Sequence, residues 1–163
     1  MFSIFFIFIV KDLYMKIDGI DKKIIRSLIK DARTPILSIA RDVGISGAAI
    51  HQRLRKLEKS DLIEGFEMKI NHQSLGLNTT AFVGLYLDNS AVLSSVVKRL
   101  KEINEVLECH YTTGKFTIFI KILSKNNEDL MKVLDTKVKV IKGVSKFESM
   151  ISLDTSFLRQ IHI

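Results

Sequence analysis

Apolar residues recur along this chain with two periods, and one gives way to the other near the middle. Residues 17–29 set Ile17, Ile20, Ile24, Ile25 and Leu28 at helical spacing with Lys and Arg between them, which predicts an amphipathic helix. Asp18 or Asp21 is placed to cap its start. The segment "KDARTP" interrupts the stripe. Thr34 reads as the N-cap of a second helix with Pro35 at its first position, and Ile36, Ile39, Ala40 and Val43 follow at i, i+3, i+4 and i+7. Gly44 ends it, because glycine enters the left-handed region without steric cost. Ser46 caps a third helix, whose stripe is Ile50, Leu54 and Leu57, and Leu62 and Ile63 close that cluster. A glycine turn between the second and third helices predicts a helix-turn-helix unit over residues 15–63.

After Ile63 the period changes. "EGFEMKINHQSLG" alternates without a helical stripe and predicts a wing-like connecting strand and hinge over residues 64–77. Residues 78–163 then alternate strands and helices. "TTAFVGLYL" is a strand, and residues 91–103 place Val92, Val96, Leu100 and Ile103 on one helical face. "VLECHYTT" and "FTIFIKIL" are strands joined at Gly114-Lys115, a hairpin signal. Residues 127–139 form a helix with Leu130, Leu134 and Val138 on its stripe, and "GVSKFESMISL" is the last strand. The expected fold is α+β: a winged helix-turn-helix domain followed by a ferredoxin-like βαββαβ domain, with both helices on one face of an antiparallel sheet. The other face is expected to show Phe, Ile and Val at alternate positions and to be buried by a second subunit.

Charge and composition narrow the partners. A formal charge of +7 and a pI near 9.5 suit a polyanionic partner. The excess is spread over both halves, so local patterning must place it. The single cysteine, Cys109, excludes an internal disulfide and suits a reducing cytoplasm. The opening "MFSIFFIFIV" is shorter than the roughly 20 residues a spanning helix needs. No basic residue precedes it and no small-residue cleavage site follows. Met15 opens an ordinary soluble start. Residues 1–14 therefore read as a wrongly placed start or an optional extension, with a pairing strand or a weak membrane anchor as alternatives. No membrane partner is expected.

The third helix carries the candidate chemistry. Ser46, Gly47, Ala48 and Ala49 make its start bare, and Arg and Lys then crowd it. A recognition helix presents its N-terminal end to the major groove, and its free N–H groups suit phosphate. His51, Gln52 and Arg55 lie off the apolar stripe, within reach of base edges. Arg53, Lys56 and Lys59 form a second row that neutralises phosphate or pairs with acids. Ser38, on the preceding helix, completes the set. The alternative is a merely solvated helix face. Elsewhere the four histidines are scattered, and Cys109 and His110, adjacent on a strand, point to opposite faces. Cys109 reads as a core or interface residue. "GISGAA" lacks the lysine of a phosphate-binding loop and follows no strand. Glu64 and Glu67 are expected to face solvent. No catalytic site, metal site or cofactor is expected.

The runs "IDGIDKKIIRSLIKDART" and "SIARDVGISGAAIHQRLRKLEKSDLIEGF", with the later "LG", "TTG" and "GVSKFES", resemble the leucine-responsive/asparagine-synthesis (Lrp/AsnC, feast/famine) regulator family over about residues 17–155. The resemblance implies a DNA-binding N-terminal domain, a hinge strand, and a C-terminal domain that assembles dimers into larger rings. It also implies a pocket between dimers for an amino acid or related effector, near the turn joining the second and third strands. Here that turn offers Tyr111, Thr113, Gly114, Lys115 and Thr117. Family members often read Gly-x-x-Asp at this turn, where the acid helps hold the ligand's amino group. This chain reads Gly114-Lys115-Phe116-Thr117. The expectation is a weak response to neutral amino acids, with an anionic metabolite the better candidate if Lys115 turns inward. The family also often has Gly where this chain has Ser60 or Asp61, which implies a change in a local turn only. The resulting reading is a cytoplasmic, non-enzymatic, sequence-specific regulator of double-stranded DNA, acting as a homodimer or a higher even oligomer and modulated by a small-molecule effector. The alternatives are a tetrapyrrole decarboxylase-like enzyme on the same scaffold, or a metabolite-binding assembly module without DNA binding.

Overall fold

The computed structural model describes residues 16–163, so the expectations for residues 1–14 lie outside the described residues. The chain divides into two units. One runs to Met68 and includes Arg159–Ile163; the other is Lys69–Leu158.

The first unit is built on α1 (Gly19–Lys30), α2 (Ile36–Val43) and α3 (Gly47–Lys59). Asp18 caps α1 in a reciprocal arrangement: its carboxylate accepts the Asp21 N–H at 2.8 Å, and the Asp21 carboxylate accepts the Asp18 N–H at 3.1 Å. Both candidate caps thus take part. Ile24, Ile39, Ile50 and Leu57 are fully buried between the helices. Each such side chain contributes roughly 1.5–3 kcal/mol, which stabilises helices too short to persist alone. Gly44 sits at φ 74°, and the Gly44 and Ile45 amides both donate to the Ala40 carbonyl, at 3.0 and 3.1 Å.

Three local expectations need correcting. Helix α2 begins one residue late: Pro35 is its N-cap, with φ −59° and an extended ψ of 134°, and no side chain caps it. The Thr34 hydroxyl donates instead to the Asp31 carbonyl at 2.7 Å, closing the loop behind it. Leu62 is 44% exposed, so only Ile63 closes the cluster. The wing does not form: residues 64–71 carry no strand. Alternation makes a strand possible, but a ladder needs a neighbour with free backbone groups, and among the described residues the regular elements of this unit are helices whose backbone groups are already paired.

In the second unit, β1 (Thr79–Leu87), α4 (Leu93–Lys101), β2 (Val106–Tyr111), β3 (Ile118–Ser124), α5 (Asn127–Val133) and β4 (Val144–Ser152) follow the predicted βαββαβ order. The sheet runs β2-β3-β1-β4, antiparallel throughout, the ferredoxin-like arrangement. Val83, Leu85, Ile118, Ile120 and Ile122 meet Val96, Leu100, Leu130, Leu134 and Val138 in one buried cluster, so both helices cover the same face. After α5 one wide turn, Leu134–Val138, carries the chain on, closed by the Lys139 N–H on the Leu134 carbonyl at 2.8 Å.

The opposite face is not lined by alternating Phe, Ile and Val. The register aligns Phe82 with Lys121 and Met150, Gly84 with Phe119 and Glu148, Phe119 with His110, and Tyr86 with Lys146. That face is aromatic and charged, because the branched aliphatic residues of β1 and β3 turn to the helices. Cys109 is exposed on the edge strand β2 rather than in the core. No helix among the described residues is long and apolar enough to cross a membrane.

Candidate nucleic-acid interface and effector turn

Helix α3 separates two duties by angle. Ile50, Leu54 and Leu57 are buried against α1 and α2, while Ala48, His51, Gln52, Arg55, Lys56 and Lys59 are exposed. The Ser46 hydroxyl accepts the Ala49 N–H at 3.2 Å and fixes the start of the helix. Ser38 lies half-buried on α2. His51 and Arg55 border an open groove of about 470 Å³, together with Pro35, Glu58 and Phe66.

Two members of the expected set also have structural partners. A Cβ on Gly47 would sit 3.3 Å from the Leu37 side chain, so its smallness serves the approach of α2 to α3. Arg53 turns back toward α1, with Nη1 2.7 Å from both Asp18 and Asp21. These two carboxylates raise the guanidinium pKa, Asp21 most. The Asp18 carboxyl lies below its ordinary range, first through the Asp21 amide and then through Arg53. Arg53 therefore ties α3 to α1, while Lys56 and Lys59 stay exposed.

In the second unit the β2–β3 hairpin places the other candidates. The Thr112 hydroxyl donates to the Phe116 carbonyl at 2.7 Å, its amide donates to Thr117 at 3.1 Å, and the Thr117 amide donates to the Leu85 carbonyl at 3.0 Å. Gly114 turns the chain at φ 115°. Tyr111, Thr113, Gly114 and Lys115 are exposed, and Thr117 is half-buried. The Lys115 Nζ lies 2.6 Å from Glu148 and 5.3 Å from the centre of the Phe116 ring. Glu148 also receives Lys146 at 3.0 Å and the Tyr86 hydroxyl at 3.1 Å. Lys115 first, then Lys146, hold its carboxyl down at about 2. In the single chain the Lys115 charge is matched by Glu148. Sequence reading missed Glu148 because it is far from the turn in the chain. Among the described residues no group of three or more His, Cys, Asp or Glu is arranged to hold a metal ion.

Comparison with known proteins agrees with this geometry. Residues 17–58 match the AsnC-type helix-turn-helix domain, and residues 80–160 match the Lrp/AsnC ligand binding domain. The regulatory protein AsnC of Haemophilus influenzae is 37% identical over 145 residues, 89% of this chain and 97% of the relative. The HTH-type transcriptional regulator FL11 of Pyrococcus furiosus is 36% identical over 137 residues, 84% of this chain and 89% of the relative. The solved structure of Escherichia coli AsnC superposes with a TM-score of 0.86 at 31% identity, covering 90% of this chain and 99% of the other. A feast or famine regulatory protein of M. tuberculosis, solved in complex with L-methionine, gives 0.84 at 26% identity, covering 91% and 99%. The chain belongs to the Lrp/AsnC family and is a helix-turn-helix transcriptional regulator of that family.

Proposed function

We propose that this regulator works in the cytoplasm without catalytic activity, binding double-stranded DNA as a homodimer or a higher even multiple. The helix-turn-helix domain spans residues 15–63, the hinge 64–77 and the assembly domain 78–163. The carrying observation is the exposed ridge of α3, which holds two kinds of donor side by side on a helix whose other face is packed. His51, Gln52 and Arg55 read base edges in the major groove. Ser38, Ser46 and the first free amides of α3, at Gly47 and Ala48, meet phosphate, and Lys56 and Lys59 neutralise it. The uncovered sheet face, with Phe82, Phe119 and the half-exposed Met150, is the surface a second subunit covers.

The effector is an amino acid held at the Gly114 turn, by Tyr111, Thr113 and Thr117. The complex of the M. tuberculosis relative with L-methionine supports that ligand class, and the pairing of Lys115 with Glu148 weighs against an anion. Gel shift with the DNA upstream of the protein's own gene, against unrelated DNA of equal length, tests the regulator reading. Specific retardation supports it, and equal affinity for both fragments contradicts it.

A further inference from the structure

We infer that Glu148 accepts the ammonium group of the effector and that Lys115 is a built-in occupant of that position, which a ligand must displace. This rests on the reading of the Gly114 turn as the effector site.

A carboxylate beside an aromatic face is the chemistry that recognises an ammonium group. Glu148 and Phe116 provide both, and the Lys115 ammonium already sits between them, 2.6 Å from the first and 5.3 Å from the centre of the second. The corner is fixed while its occupant is loose. The Phe116 ring lies on the bare backbone of Gly84, where a Cβ would come within 2.4 Å of it. Tyr86 packs edge-on against the same ring at 5.4 Å and donates its hydroxyl to Glu148. Lys115 is 63% exposed at the end of a flexible stem, next to a glycine at φ 115°. An exposed ion pair of this kind is weak, so an amino group held by further contacts can replace it. Thr117 offers no charge for that amino group, and Glu148 supplies it from β4. The ammonium group of the amino acid proposed above therefore meets Glu148, and Lys115 sets how tightly it binds.

Calorimetric titration of the full chain with each of the twenty amino acids, on wild type, Lys115→Ala, Glu148→Gln and Gly114→Trp, tests this. For the tightest ligand, Lys115→Ala should bind about two- to fivefold tighter than wild type, the change that losing a weak exposed pair allows, and Glu148→Gln at least tenfold weaker. Lys115 is exposed, while Glu148 is half-buried on the sheet face assigned above to the second subunit, so unchanged circular dichroism and an unchanged oligomeric state by sedimentation confirm fold and assembly. Unchanged or weaker binding by Lys115→Ala overturns the inference, as does wild-type affinity in Glu148→Gln or no binding by either wild type or Lys115→Ala. If Gly114→Trp abolishes binding while Lys115→Ala matches wild type, the effector reading stands and the occupant falls. If Gly114→Trp binds like wild type, the turn is not the site and both fall.

Discussion

The ring of Phe116 lies so close to Gly84 that a Cβ at position 84 would meet three of its atoms at 2.4–2.6 Å. The hairpin loop is thereby seated on β1 by an absence of side chain. Gly84→Ala must push the ring off its seat, and overpacking of this kind costs about 1–3 kcal/mol. Combined with Phe116→Ala, the same substitution should cost much less, because the clash is gone. Urea denaturation of the four proteins measures this. Additive effects would show that ring and backbone are not coupled.

Arg53 holds α3 to the capped start of α1, with one carboxylate partner almost buried: the Asp21 side chain is 6% exposed. Removing a charged hydrogen-bond partner from such a group costs about 1.5–3 kcal/mol. Arg53→Ala should therefore lower stability while leaving the salt dependence of DNA binding unchanged. Lys59→Ala should do the opposite, reducing the salt slope by about one unit at constant stability. A reduced slope in folded Arg53→Ala would return that residue to the phosphate row.

Asp61 follows α3 in the left-handed region, at φ 57°. Most residues with a Cβ pay roughly 1–2 kcal/mol there, Asp less because its short polar side chain can bond locally, and glycine recovers part of it against its greater freedom when unfolded. Asp61→Gly should stabilise the first unit by up to about 0.5 kcal/mol. A lower melting temperature in that variant would contradict the strain assigned to this turn.

Glu148 gives a signed dependence on pH. Its folded carboxyl titrates at about 2 against an ordinary 4.5, because Lys115, Lys146 and Tyr86 favour the charged form. The stability it contributes is complete above 4.5 and is lost as pH falls through that range toward 2. Wild type should exceed Glu148→Gln by a constant margin above about pH 5.5, and the margin should shrink below it. A margin independent of pH down to 2.5 would mean that the cluster does not hold the carboxylate.

Periodic elements were legible in the sequence because their signals are local. The stripes of α1 to α3, the glycine turn at Gly44 and the alternation in β1 each need only neighbouring residues, and the structure places them as expected. What was not legible depends on distant partners. The connecting segment alternates, yet forms no strand, and no strand among the described residues pairs with it. Arg53 looked like its neighbours Arg55 and Lys56 until the fold brought Asp18 and Asp21 beside it. Glu148 and Gly84 carry no local mark of their roles, and only the sheet register joins them to the hairpin. Most of the exposed ridge of α3 could be read directly, because the buried stripe defines which residues remain outside.

The central claim is that this ridge reads DNA. The direct test is binding of the folded double variant Gln52→Ala/Arg55→Ala to the upstream site and to a scrambled site, at several salt concentrations. The account predicts that each lost base contact costs about 1–3 kcal/mol on the specific site. Affinity for the scrambled site should change little beyond the loss of one cation, so discrimination collapses. A folded double variant that binds and discriminates like wild type would show that α3 is not the recognition helix.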